Sequence, residues 1–167
     1  MKIENQQVID DLAAKYGEAV YGFEQPYGML NASITPDQLL NVVTYLKDHP
    51  TFKIGFLTDL TAVHYPERVG EEICVVYHLH SLPNNFRLRL KVNVPIADPA
   101  VPTLTNIYAS ANWMERETYD FFGVQFLNHP NLIRILNLDD MDYFPMRKEY
   151  PLEDPTRLDK VDAMFGR

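Results

Sequence analysis

Residues Ile73 to Val94 read ICVVYHLHSLPNNFRLRLKVNV, and this stretch decides the fold class. Ile73, Val75, Tyr77 and Leu79 fall at every second position. So do Phe86, Leu88, Leu90, Val92 and Val94, with Arg87, Arg89 and Lys91 between them. Successive side chains of a strand point to opposite faces, so each run is a strand with one apolar face. Leu82-Pro83-Asn84-Asn85 joins them as a four-residue loop in which Pro83 takes the second position of a type I turn. That length pairs Ser81 with Phe86, Leu79 with Leu88 and Tyr77 with Leu90. A slip by one residue would set apolar against polar along the whole hairpin, which fixes the register.

Upstream, Val8, Ile9, Leu12, Ala13 and Tyr16 recur at helical spacing, giving a helix over about 4–16 that Gly17 ends. Ala19 to Phe23 and Met29 to Ile34 read as short strands around the turn Gln25-Pro26-Tyr27-Gly28. Thr35-Pro36-Asp37-Gln38 opens a second helix, with Thr35 and Gln38 spaced for a capping box and Pro36 at the first helical position. Leu39, Leu40, Val43 and Leu46 supply its buried stripe, and His49-Pro50 stops it. Phe52, Ile54 and Phe56 alternate with Lys53 and Gly55 as the start of a strand, and a bulge or turn is expected near Asp59.

Downstream, the loop holding Pro99 and Pro102 leads to a helix expected from about 105 to 122, with Gly123 as its C-terminal cap. Arg116 and Asp120 are spaced to pair across one turn of it. Beyond Gly123, Pro130, Pro145, Pro151 and Pro155 break any long element. The expectation is an α+β fold, a largely antiparallel sheet packed with helices, followed by an extended C-terminal arm. The α+β domain takes residues 1–123 and the partner-binding arm residues 124–167.

The 167 residues suffice for one core. A net charge of −8 opposes binding to phosphate backbones or anionic lipid, both of which reward Lys and Arg. The single cysteine, Cys74, forms no internal disulfide and cannot supply an iron–sulfur cluster, and inside an apolar run it reads as a small buried hydrophobe. The N-terminus is acidic and lacks the apolar run of a signal peptide. No run reaches the roughly 18–20 apolar residues of a membrane span, so any membrane association is expected through a partner.

Three groups of residues invite a chemical reading. His78 and His80 share one face of a strand, a spacing able to serve a metal, but the hairpin register sets them beside Arg89 and Arg87, which favours a solvated polar face. Glu115, Glu117, Asp120 and His129 could form an acid–base set, yet their spacing matches no metalloprotease, nucleophile-elbow or phosphate-loop pattern. A charge-satisfied helix end that fixes the following loop is the plainer account. The segment from Leu132 to Pro151 is the third: too apolar for a linker and too broken by proline to build a core. It either lies back on its own domain or across a partner, and its aromatic and Arg anchors favour the partner.

The run Glu115-Arg116-Glu117-Thr118-Tyr119-Asp120-Phe121-Phe122-Gly123-Val124, with Phe126, Asn128-His129-Pro130, Leu132, Arg134-Ile135-Leu136, Pro145, Arg147-Lys148 and Tyr150-Pro151, resembles the 30 kDa subunit of proton-pumping NADH:quinone oxidoreductase, the respiratory complex I of bacteria. Leu57-x-Asp59-Leu60 and Val75-Val76-Tyr77-x-Leu79 extend the resemblance upstream. Met141, Tyr143 and Met146 depart from the Trp, Gly and Leu usual at those points, and His64 stands where an acidic residue is common.

The resemblance implies a cofactor-free structural subunit of the peripheral arm, bracing the large quinone-site subunit and touching cluster-bearing subunits. NADH, FMN, iron–sulfur clusters and quinone would belong to those partners. The place implied is the cytoplasmic side of the bacterial cell membrane, peripherally held. The matching residues Glu115, Arg116, Glu117, Tyr119, Asp120, His129, Pro130, Arg134, Arg147 and Lys148 would form the interface motif, none of them catalytic. An equivalent subunit of a membrane-bound [NiFe] hydrogenase or another quinone-linked dehydrogenase is the alternative. A stand-alone enzyme using Glu117, Asp120 and His129 is the more distant one.

Overall fold

In the computed structural model, which describes residues 3–150, the chain runs α1 (Asn5–Tyr16), β1 (Val20–Glu24), β2 (Leu30–Ile34), α2 (Leu39–Asp48), β3 (Phe56–His64), β4 (Ile73–Ser81), β5 (Phe86–Val94), β6 (Ala100–Pro102), α3 (Ala111–Phe122) and β7 (Gln125–Leu127). The expected α+β architecture is present. Five strands order as β1-β2-β5-β4-β3, antiparallel except where β2 runs parallel to β5. The hairpin register is the expected one, with Ser81 opposite Phe86, Leu79 opposite Leu88 and Tyr77 opposite Leu90.

One face of the sheet builds the core. Leu30, Ile34, Tyr77, Leu79, Leu88 and Leu90 are buried in a single cluster with Val8 and Leu12 of α1, Leu39, Val42, Val43 and Leu46 of α2, and Ala111 and Phe122 of α3. The opposite face carries Asn31, Ser33, His78, His80, Arg87, Arg89 and Lys91, in the register that alternation demands. Of its apolar members, Cys74 and Val76 are buried but lie outside that cluster, while Phe56 opposite His80 and Tyr21 opposite Ser33 are exposed.

Several local expectations need correction. Leu40 is exposed and Val42 takes its place in the buried stripe of α2. The helix opens on a 3₁₀ turn, Pro36–Gln38, and Gln38 Nε2 donates to Asp37 Oδ2, so the expected capping box does not form. Phe52 and Ile54 are buried from a turn, not a strand, because Lys53 has a φ of +47° and Gly55 N–H closes back on its carbonyl. The bulge near Asp59 is present, where the β3–β4 register shifts between Leu57 and Asp59. Helix α3 starts at Ala111, not near residue 105. The preceding stretch makes isolated turns, among them Tyr108 N–H to Leu104 C=O at 2.8 Å.

Strands β6 and β7, three residues each, pair in parallel and were not expected. They set Val101 and Phe126 into the core, and Phe126, with Val124 just before β7, lies past the expected boundary at residue 123. Pro151 and Pro155, with the rest of the arm to residue 167, lie outside the described residues.

Candidate functional site, the junction of α3 with the arm

Two acidic side chains five residues apart on α3 are completely buried, and each organises a different neighbour. Glu115 Oε1 accepts from Leu104 N–H at 2.7 Å, and Oε2 accepts from the Thr103 hydroxyl. Burial pushes this carboxyl up to about 7, against the downward pull of those two hydrogen bonds. His129 lies beside it with its side chain covered, Nε2 at 3.9 Å from Glu115 Oε2. Asn131 N–H donates to His129 Nδ1 at 3.0 Å, which leaves Nε2 to donate to the Asn112 carbonyl at 3.2 Å in the neutral ring.

Asp120 works the other way. Its Oδ2 accepts from the backbone N–H groups of Ile135 (3.1 Å), Leu136 (2.8 Å) and Asn137 (2.9 Å). Its Oδ1 accepts from Arg134 Nη1 (2.7 Å) and Asn137 Nδ2 (3.1 Å). Burial alone would raise its pKa, but the combined hydrogen bonds from Asn137, Leu136 and Arg134 hold it well below the usual carboxylate range. A loop that spends three consecutive amides on one carboxylate is tied to that carboxylate. Asp120 is therefore the point where the chain after β7 is fastened to the domain.

The other motif residues complete the fastening. Arg116 does not pair with Asp120. Its Nε donates to the Ile133 carbonyl at 3.1 Å and its Nη2 to that of Arg134 at 3.0 Å, so both members of the expected helical pair reach forward to the arm. Arg134 donates further to the carbonyls of Met141 and Tyr143. Arg147 Nε donates to the Phe122 carbonyl at 2.7 Å, and its guanidinium stands 4.6 Å over Phe144, whose ring meets Tyr119 edge-on. Lys148 N–H donates to Nδ1 of buried His64 at 3.0 Å. Pro130 is exposed.

Gly123 sits under this arrangement. Its φ is +78°, and a Cβ there would lie 2.6 Å from both Arg147 Nη2 and Phe144 Cε2. No other residue provides both the left-handed turn and the space.

Glu117, Asp120 and His129 do not converge. Glu117 is exposed beside a shallow depression of about 410 Å³ lined by Leu60, Phe121 and Met146, while Asp120 is saturated and His129 faces Glu115. Among the described residues no cluster of three or more His, Cys, Asp or Glu side chains is placed to hold a metal. His78 accepts from Arg89 Nε at 2.8 Å, and a carboxylate that strand alternation alone does not place there, that of Asp59, lies 3.4 Å from its other nitrogen. The β3 bulge brings it there.

The tethered arm leaves an apolar outer surface. Ile133, Leu136, Leu138 and Met146 are exposed, Trp113 of α3 is exposed, and Leu127 of β7 joins them.

Residues 32–156 match the family described as the respiratory-chain NADH dehydrogenase, 30 Kd subunit. The C subunit of the NADH-quinone oxidoreductase of Geobacter sulfurreducens is 39% identical over 92% of this chain and 94% of its own length. Its counterpart in Citrifermentans bemidjiense is likewise 39% identical, with the same coverage of both chains. Among solved structures, the trypsin-resistant fragment (1–134) of Nqo5 superposes with a TM-score of 0.66 at 32% identity, covering 76% of this chain and 98% of that one. A chain of an archaeal membrane-bound sulfane sulfur reductase shares the fold, with a TM-score of 0.72 at 23% identity over 97% of this chain and 91% of its own.

Proposed function

The chain belongs to the family of the respiratory-chain NADH dehydrogenase 30 Kd subunit, and from that premise we propose that it is a cofactor-free structural subunit of the peripheral arm of proton-translocating NADH:quinone oxidoreductase. It braces the quinone-site subunit and meets cluster-bearing subunits, while NADH, FMN, clusters and quinone reside in those partners. The observation that carries this reading is the arm itself. Asp120, Arg116 and Arg147 fix its inner side, so Leu136, Leu138 and their neighbours are presented outward in one defined shape. Exposed apolar side chains held on a rigid support are what a permanent interface uses.

The chemistry of the assembly is left to the partners. One cysteine cannot ligate a cluster that needs several thiolates, and the buried acids of α3 are engaged in holding Thr103–Leu104 and the arm. No helix of the described residues is long and apolar enough to cross a membrane. The chain is held at the cytoplasmic face through its neighbours.

Purification of the tagged chain from detergent-solubilised membranes tests the proposal. The expected result is copurification of quinone-site and cluster-bearing subunits in equal stoichiometry. Recovery of the chain alone would overturn it, and recovery with a hydrogenase large subunit would transfer it to the related assembly.

A further inference from the structure

We propose that the face of the sheet turned away from the core docks an acidic segment of a neighbouring subunit, whose carboxylates meet the cation row Arg87, Arg89 and Lys91. The inference rests on reading the chain as an assembly subunit, and it assigns a second surface remote in character from the apolar arm.

The three cations alternate along the strand at the centre of the sheet, so all project from one face about 7 Å apart. Among the described residues none of them has a carboxylate within salt-bridge distance. In a chain of net charge −8 this is a local reversal of sign. Three acids border the row. Glu24 on the edge strand β1 pairs with Asn31 of β2, Asp59 on the opposite edge strand β3 lies against His78, and Glu71 Oε2 accepts from Asn93 Nδ2 at 3.4 Å. None of the three is within salt-bridge distance of the cations.

The face is also organised across the strands. Glu24, Asn31, Arg89, His78 and Asp59 form one transverse row over β1, β2, β5, β4 and β3, a carboxylate at either end. Arg89 spends its Nε on His78, which leaves both Nη groups directed elsewhere. Burial, and then the Arg89 cation, hold His78 below the usual imidazole range, so the ring is a neutral acceptor.

Three polar atoms of the face, Asn31 Oδ1, His80 Nε2 and Asn93 Oδ1, are covered and have no hydrogen-bond partner among the described residues, and His78 Nδ1 has only Asp59 at 3.4 Å. Asn31 is only 2% exposed, yet its Oδ1 accepts no hydrogen bond, and neither does Nε2 of His80 engage any group. A covered polar atom without a partner costs stability. An acidic peptide segment supplies what the row lacks, carboxylates for the guanidinium and ammonium groups. A depression of about 350 Å³ lined by Met29, Thr58, Asp59, His78, Arg87 and Arg89, two guanidinium groups against one carboxylate, gives such a segment a point of entry. An anionic lipid surface is opposed by the chain's net charge of −8.

The test uses the whole assembly, purified through a tag on this chain. p-Benzoylphenylalanine replaces Ser33, which lies beside Lys91 on the same face, and photo-crosslinked peptides are identified by mass spectrometry. The expected product is a peptide of another subunit rich in Asp or Glu. In parallel, the double variant Arg87→Glu with Lys91→Glu, which leaves the Arg89–His78 bond intact, should reduce recovery of the crosslinked subunit at least tenfold. Arg87→Lys with Lys91→Arg should recover it fully.

A crosslink to lipid, to residues 151–167 of this chain or to a peptide without acidic residues overturns the proposal, as does an assembly that forms normally with the charges reversed. If the unmodified tagged chain brings down no other subunit, the subunit reading has failed, and this inference falls with it. A normal assembly without the crosslink overturns this inference alone.

Discussion

Asp120 Oδ1 and Arg134 Nη1 lie 2.7 Å apart, the aspartate side chain fully covered and that of the arginine 8% exposed. The pair joins the last turn of α3 to a segment fourteen residues further on. It is a buried ion pair in which each member is also saturated by backbone groups, the arrangement in which removing one partner costs far more than the pair's net worth. Asp120→Ala would strand Arg134 and three amides together. The expected loss is about 3–5 kcal/mol, read by urea denaturation. The amides of Ile135, Leu136 and Asn137 should also lose their protection in hydrogen exchange. Wild-type protection of those three would refute the fastening role.

The two buried acids of α3 predict opposite responses to pH. Asp120 has its folded pKa depressed, so its contribution is complete above the unfolded carboxylate value and disappears only as pH falls through the folded one. Glu115 has its folded pKa raised, from 4.5 to about 7. Below 4.5 both states hold its proton. Between 4.5 and 7 the unfolded chain releases the proton while the folded chain keeps it, so stability falls as pH rises, and above 7 a constant penalty remains. That penalty is on the order of 3 kcal/mol. Glu115→Gln should flatten the decline between pH 5 and 7 and be more stable than wild type at pH 8. Denaturant midpoints at four pH values suffice, and an unchanged slope in the variant would assign the decline to another group.

Alternation made the hairpin readable, because every residue from Ile73 to Val94 carries the same two-residue message and a single loop length fits it. The same period misled at Phe52, Ile54 and Phe56, where a tight turn about Lys53 buries two of the three side chains without any ladder. Strands of three residues, such as Gln125–Leu127, are too short for a period to show. At the junction the residue types were legible but their partners were not. Four-residue spacing suggested Arg116 with Asp120, whereas both look outward to carbonyls and amides seventeen or so residues away. Those backbone partners leave no mark on the sequence. Asp59 beside His78 was hidden for a related reason, since only the bulge sets them level.

Gly123→Ala would test the close approach directly. The left-handed backbone alone costs a β-carbon about 1–2 kcal/mol, and the added atom would also displace Arg147 and Phe144, which now stand within 2.6 Å of its position. Detaching that corner releases the Arg147–Phe122 hydrogen bond. Trypsin should then cut after Arg147 and Lys148 at least ten times faster than in wild type, while the five-stranded sheet keeps its circular dichroism. Equal cleavage rates would show that the arm tolerates a side chain at 123.

The arm's outer side should matter for assembly and hardly at all for folding. Leu136 is 63% exposed and Leu138 71%, so neither contributes much core burial. Their backbone, by contrast, is committed, since Leu136 N–H donates to Asp120 and the Leu138 carbonyl accepts from Met141 N–H at 3.2 Å. The double substitution Leu136→Glu with Leu138→Glu keeps that backbone and changes only what a partner would meet. Surface changes of this kind stay within about 0.5 kcal/mol in the isolated chain. Two charges placed in a desolvated interface are far more costly. The variant should therefore melt like wild type alone, yet lose at least nine-tenths of the quinone-site subunit proposed to copurify with it. Asp120→Ala should lose the same partner by a different route, through the shape of the arm. If the double variant assembles normally while Asp120→Ala does not, the arm stabilises the domain itself, and the contact to the neighbouring subunit lies elsewhere on the chain.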